Sequence, residues 1–380
     1  IDNSLMGIMV GLPSPSGSEK DLQLNFGKNM TVQVEMRAPH LPAEWHTQSG
    51  IQLTWPHAGT DWAYMLAEVQ ECFINIAREI AKRELLLIVT PEPEEVKKQI
   101  AATVNMNNVR FLECATNDTW ARDHGAITMI DTGTPSLLDF TFNGWGLKFA
   151  SELDNQITKQ AVEAGALKGQ YIDRLDFVLE GGSIESDGMG TLLTTSECLL
   201  SPQRNGRLNQ VEIEEYLKST FHLQKVLWLD HGYLAGDDTD SHIDTLARFC
   251  STDTIAYVKC DDKEDEHYEA LLAMEEQLKS FRTLAGEPYR LLALPMADKI
   301  EEDGERLPAT YANFLIMNEA VLFPTYNQPA NDEAARLVLQ EAFPDREIVG
   351  VDCRALIRQH GSLHCVTMQY PETADRTAHL

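Results

Sequence analysis

The chain has 380 residues, 43% hydrophobic and 24% charged, the composition of a globular protein with a sizeable core rather than of a disordered or fibrous one. Asp and Glu number 59 against 31 Lys and Arg, a formal net charge of −28. A field of that sign repels nucleic acid and anionic membrane surfaces, and it weakly favours cationic substrates.

Residues 1–29 are rich in Gly, Ser, Pro and Lys without a helix or strand period, and no basic stretch precedes the apolar Leu5–Leu12. A signal peptide is therefore not expected. The expectation is a non-catalytic extension over 1–29 and one catalytic domain over 30–380, since no linker or low-complexity stretch divides the rest. Asp61 stands where a cap would begin a helix. Trp62, Leu66, Val69, Phe73, Ile76 and Ile80 then recur at steps of three and four, one apolar helix face. A buried strand follows at Leu85–Thr90, stopped by Pro91.

Four more helices are expected near 152–168, 212–222, 264–282 and 331–343. Short apolar runs follow them at Phe177–Leu179, Val226–Leu229, Leu291–Leu294 and Ile348–Val351. A pair of strand-like runs precedes each helix: Ala126–Ile130 with Leu137–Phe142, Ser183–Glu185 with Thr191–Thr195, Thr245–Phe249 with Thr254–Lys259, and Ala312–Met317 with Val321–Thr325. The unit is strand–strand–helix–strand. The first helix has only Gln52–Thr54 before it, and the last run, His364–Tyr370, has no helix after it. The two chain ends would together complete a fifth unit, each unit being about 70 residues, a reasonable supersecondary repeat. A doubly wound open sheet is the alternative. The longest apolar runs are too short to cross a bilayer.

Polar residues gather beside the strands in four places: Thr116–Gly125, Leu179–Ser183, Thr239–Thr245 and Gln359–Thr367. Taken singly, each is ordinary. His242 and Asp244 could be a satisfied turn or a metal pair, and Trp120 could be core. Most of the seven cysteines read as small buried residues. They show no C-x-x-C spacing, which speaks against a disulfide framework and suits a reducing, intracellular setting. In a repeated α/β architecture, however, equivalent strand ends gather on one face. A Cys nucleophile with a His base beside surplus carboxylates suits a planar cation. A guanidinium offers its N–H donors in a fork that carboxylates accept, and its charge would lower the thiol pKa.

The ordered motifs are Trp55-Pro56 with Asp61-Trp62, Asp118–Gly125, Phe142–Gly146, Leu179–Ser183 through Gly190–Thr195, Thr239–Asp244, and His364-Cys365. Together, from about Met30 to Tyr370, they resemble the agmatine deiminase and bacterial-type peptidylarginine deiminase family. The resemblance implies a five-bladed pseudo-symmetric α/β propeller. It implies Cys365 as the nucleophile on the guanidinium carbon and His242 as the general acid and base. Asp123 and Asp244 would grip the guanidinium nitrogens. Glu180 would orient His242 and help hold the substrate, and Trp120 would line the pocket. The intermediate would be a covalent S-alkylthiouronium, and no metal or organic cofactor is called for.

Two stretches depart from the family pattern. His360–Cys365 stands where many agmatine deiminases read Gly-Gly-Asn-Ile-His-Cys. His57–Asp61 stands where charged residues are usual. Both bear on the substrate's tail rather than on deimination. The leading expectation is a cytoplasmic agmatine deiminase acting on a small cationic guanidine in putrescine synthesis. Its size suits a homodimer. Free or peptide-bound arginine is the alternative substrate. From other classes, a metal-dependent hydrolase using His242, Asp244, His360 and His364, or a non-catalytic guanidine-binding module, would fit parts of the pattern.

Overall fold

The computed structural model describes residues 39–131 and 133–372, together with the backbone of Gln23–Phe26 and Met30–Gln33. Those two short strands pair antiparallel. The chain divides into a unit Ile1–Ala38 and a unit Pro39–Leu380. Apart from Gln23–Phe26, the expected extension over 1–29 lies outside the described residues.

The larger unit is a mixed α/β structure whose described strands form five sheets of three or four strands and one two-stranded ribbon, Glu301–Glu302 with Glu305–Arg306. In the first, Gln48–Thr54 pairs antiparallel with Thr367–Pro371 and parallel with Leu85–Thr90, which pairs parallel with Val109–Glu113. The pairing of the chain's two ends matches the expectation that they complete one unit. The second sheet holds Ile127–Met129, Ser136–Thr141 and Gln170–Val178. The third holds Ile184–Ser186, Thr191–Thr195 and Lys225–Leu229. The fourth holds Ala247–Ser251, Thr254–Lys259 and Arg290–Pro295. The fifth holds Leu315–Met317, Ala320–Thr325 and Glu347–Asp352. In these four the first two strands are antiparallel and the third runs parallel to the second. A parallel pair needs a crossover, and a helix supplies it each time: Ile157–Glu163, Gln210–Phe221, Tyr268–Ser280 and Pro329–Ala342. Leu66–Ala81 serves the first sheet.

The first crossover helix buries Val69, Cys72, Phe73, Ile76, Ala77 and Ile80, the face its apolar spacing predicts. Asp61 does not cap it. A turn at Ala63–Met65 intervenes, and the helix begins at Leu66 without a side-chain cap. The helix expected over 152–168 shortens to Ile157–Glu163. Gly165, at φ 72°, turns the chain out of it, and the amides of Ala166 and Leu167 close back on the Ala161 carbonyl. The helix Pro93–Ile100 and the strand Val109–Glu113 were not expected. The strand exposes Arg110 and Glu113 and buries only Val109 and Leu112, so its apolar signal is faint.

Candidate active site

All four polar clusters occupy equivalent places. Short helical turns at Ala121–His124, Gly181–Ser183, Ile243–Thr245 and His364–Val366 each stand just before an outer antiparallel strand of a sheet. The corresponding segment of the fifth sheet, just before Leu315–Met317, carries Asn313. Equivalent ends of five sheets thus deliver Asp123, Glu180 with Gly182, Asp244 with His242, Asn313 and Cys365.

Asp123 is buried. Its Oδ2 accepts from Trp145 Nε1 at 2.8 Å and its Oδ1 from the Gly182 amide at 3.0 Å. Burial pushes its pKa up to about 6, with Asp244 and Glu180 adding to the rise against the opposing charge of His242. Glu180 is fully buried too. Burial alone would protonate it, but hydrogen bonds and charge from His242 and Arg204 prevail and hold it at about 2. His242 is the ring between these carboxylates: Nε2 lies 3.4 Å from Glu180 Oε1, and Nδ1 lies 3.7 Å from Asp123 Oδ1 with no hydrogen-bond partner. Burial disfavours the imidazolium, yet Asp123, Cys198 and Glu180 together hold its pKa well above the ordinary histidine value.

Asp244 Oδ2 takes a hydrogen bond from His364 Nδ1 at 2.8 Å, while Oδ1 has no partner. Burial opposes its ionisation, and His364 and His242 more than compensate, so its pKa is lowered. The Cys365 thiol lies 3.4 Å from Asn313 Oδ1, which also accepts from the amides of Cys365 and His364. Burial first, then Asp244 and Asp123, push the thiol pKa well above its usual value. In this resting state Cys365 is a thiol, and a bound cation is what would ionise it. Gly182 lets the set converge. A Cβ there would lie 2.6 Å from His242 Nδ1, 2.8 Å from Asp123 Oδ1 and 3.1 Å from Asp244 Oδ2.

A narrow pocket, partly open to solvent, leads to this group, with Asp123 and Cys365 in its lining. Trp120, Trp145 and Phe149 form apolar walls. Asp61, Asp118, Asp237 and Asp238 complete an acidic lining in which no Lys or Arg stands among the described residues. Glu180, His242 and Asp244 are not in the lining; they are almost wholly buried, beside Asp123 and Cys365.

The quartet considered for a metal does not come together. His242 groups with Glu180 and Cys198, and His364 with Glu44 and Glu185. His360 Nδ1 instead hydrogen-bonds the Gly236 carbonyl at 2.7 Å.

Two residues of the site escaped the sequence reading. Asn313 sits in an apolar run, and only its place in the fifth repeat points to it. Arg204, in the turn Pro202–Asn205, holds Glu180 through Nε and Nη2 and Asp240 through Nη1. No local pattern marks it.

A thiol, an imidazole and three carboxylates meet at the strand ends of a mixed α/β protein, an arrangement that can support nucleophilic chemistry on a small cation. The model of the Porphyromonas-type peptidyl-arginine deiminase family matches residues 40–371. The chain belongs to that family. A Porphyromonas gingivalis protein provisionally named arginine deiminase is 51% identical, with 88% of this chain and 98% of that one aligned at a TM-score of 0.83. The agmatine deiminase of C. jejuni, solved as a cysteine-to-serine variant with substrate bound, is 40% identical at a TM-score of 0.82, covering 88% and 97% of the two chains. The agmatine deiminase of Enterococcus faecalis is 30% identical at 0.81, covering 88% and 96%.

Proposed function

We propose that the protein is an agmatine deiminase, a hydrolase of a guanidinium C–N bond, built as a five-bladed α/β propeller. Five sheets of shared strand pattern, with the first and last strands of the unit paired, support the propeller. The relatives named agmatine deiminase support the reaction. The observation that carries the substrate assignment is the pocket lining. Around Cys365 it offers Asp61, Asp118, Asp237 and Asp238, with no Lys or Arg among the described residues. A substrate with a second cation suits it; the carboxylate of free arginine would meet this acidic lining with no Lys or Arg to pair with.

The chemistry follows from the geometry. Asp123 and Asp244 accept N–H bonds from the guanidinium and hold its carbon against Cys365 Sγ. The cation between them offsets burial and the carboxylate charge that together raise the thiol pKa, so the thiol releases its proton to solvent and the thiolate attacks the carbon. His242 gives a proton from Nδ1, its unpartnered edge, to one nitrogen. The C–N bond breaks and ammonia leaves, with the cationic thiouronium on Cys365. Neutral His242 then takes a proton from water as its oxygen attacks the same carbon. The C–S bond breaks as the remaining proton of that water passes to the departing sulfur, returning the Cys365 thiol and releasing N-carbamoylputrescine. Arg204 keeps Glu180 anionic so that it can steady the imidazolium.

The test is direct. The protein is incubated separately with agmatine, free arginine and a peptide ending in arginine, and ureido product is assayed. Agmatine is expected to turn over with the highest kcat/KM by at least about 100-fold. Turnover of arginine or the peptide alone would overturn the substrate assignment.

A further inference from the structure

Carboxylates hold His364 at both edges of its ring. Nδ1 lies 2.8 Å from Asp244 Oδ2, and Nε2 lies 2.8 Å from Glu44 Oε2. The side chains of His364, Asp244 and Glu44 are 1%, 0% and 8% exposed. His364 is the chain neighbour of Cys365, and Glu44 stands 320 positions away from it, ahead of the strand Gln48–Thr54. The row therefore runs from the edge of the larger unit to a carboxylate of the reaction centre.

Glu44 is fixed from two other sides. Its Oε1 accepts from the Ile316 amide at 2.7 Å, and its Oε2 accepts from Arg248 Nη2 at 2.8 Å. Arg248 in turn donates through Nε to Glu185 at 2.5 Å and through Nη1 to the Ala312 and Phe314 carbonyls. Every nitrogen of this buried guanidinium is engaged, so the far end of the row is rigid.

The bonds set the proton count. An ionised carboxylate only accepts, so each edge of the ring needs an N–H. Burial would protonate Glu44, but the charges of His364 and Arg248 prevail and hold its pKa far below the usual carboxylate range. Burial opposes the ionisation of Asp244 in the same way, and the hydrogen bond and charge of His364 outweigh it. Arg248 Nη2 also lies 3.1 Å from His364 Nε2, but Glu44 Oε2 is the nearer acceptor for both nitrogens. A neutral imidazole has one N–H and could serve Asp244 or Glu44, not both.

We propose that Glu44 and His364 are positioning residues for the reaction: Glu44 keeps the second proton on His364, and the resulting imidazolium holds Asp244 as an oriented carboxylate for the guanidinium. The role of Asp244 rests on the deiminase reading above. Without the charge of Glu44 the ring keeps one proton, and the support of Asp244 falls from a charged hydrogen bond to a neutral, weaker one.

Two measurements test this. Glu44→Gln removes the charge at nearly constant shape. With agmatine, its KM is expected to rise at least about 5-fold while kcat stays within about 3-fold of wild type, because ground state and transition state lose the same grip. A misfolded fraction would lower kcat and leave KM alone. Neutron diffraction from deuterium-exchanged crystals of the wild type is expected to show a deuteron on each ring nitrogen of His364. A smaller rise in KM, a loss carried mainly by kcat, or a single ring deuteron would overturn the proposal. If Glu44→Gln does not fold, His364→Asn, which offers Asp244 a neutral donor, is read in the same way. Failure of the wild type to form ureido product from agmatine would overturn the deiminase reading and the role of the row in it, whereas the deuteron count tests the Glu44–His364 arrangement by itself.

Discussion

Arg204 grips Glu180 through two nitrogens, Nε at 2.9 Å and Nη2 at 2.7 Å from Oε1, and neither side chain has any exposed surface. Its third nitrogen, Nη1, bonds Asp240, two residues before His242. One buried guanidinium thus fixes both the carboxylate that faces His242 and the loop that carries His242.

Arg204→Gln is expected to lower kcat about 100-fold while changing KM much less, because it disturbs the proton-transfer group rather than the guanidinium grip. Losing the cation also lets the Glu180 pKa climb from about 2, so the acid limb of the kcat profile should move upward. Arg204→Lys should recover part of the rate. Steady-state kinetics across pH checks this, and an unchanged acid limb in Arg204→Gln would refute it.

Asp123 is expected to set a pH threshold for substrate capture. With its pKa raised to about 6, it is anionic above that pH and neutral below. kcat/KM for agmatine is expected to fall as pH drops through about 6, a limb that Asp123→Asn should lack at a level about 100-fold or more lower throughout. The same limb persisting in Asp123→Asn would assign it elsewhere.

Gly182 is a contact point rather than a flexible one. An added Cβ would be 2.6 Å from His242 Nδ1 and 2.8 Å from Asp123 Oδ1, closer than van der Waals contact permits. Gly182→Ala should reduce kcat/KM about 100-fold or more. The same substitution should leave the thermal unfolding midpoint within a few degrees of wild type. Near-normal activity would mean that the imidazole and carboxylate are held less tightly than their distances indicate.

Asp154 gives a stability prediction with a definite sign. Burial raises its folded pKa from 3.8 to about 8, and the charge of Asp118 adds to the rise, although the amides of Asn117 and Asp118 donate to it. The folded state therefore holds this proton more tightly than the unfolded chain. Its contribution is complete below about pH 4, the unfolded value, and is lost as pH rises through about 8. Relative to wild type, Asp154→Asn should gain stability steadily between pH 5 and pH 8 in thermal denaturation. A pH-independent difference would contradict this.

Much of this was legible because the chemistry sits on repeats. Each cluster adjoins a strand whose apolar run is readable, so Asp123, Glu180, His242, Asp244 and Cys365 could be placed at equivalent junctions before their contacts were known. The pairing of Gln48–Thr54 with Thr367–Pro371 followed from counting unfinished units. Residues whose role arises only from tertiary approach were not legible. Arg204 lies 24 positions from Glu180, in a turn like many others. Asn313 is a polar residue amid Tyr311, Ala312, Phe314 and Leu315. Asp61 misled because Asp before an apolar helical period is an ordinary cap signal; here the intervening turn frees it to line the pocket.

The central claim is that Cys365 attacks the guanidinium carbon of agmatine. Rapid quenching with agmatine, followed by mass analysis of the peptide containing Cys365, tests it most directly. The account predicts an adduct of agmatine less ammonia on Cys365 in the wild type. It predicts no adduct and no ureido product from Cys365→Ala, with chelators leaving the wild-type rate unchanged. Turnover of agmatine by Cys365→Ala would contradict it.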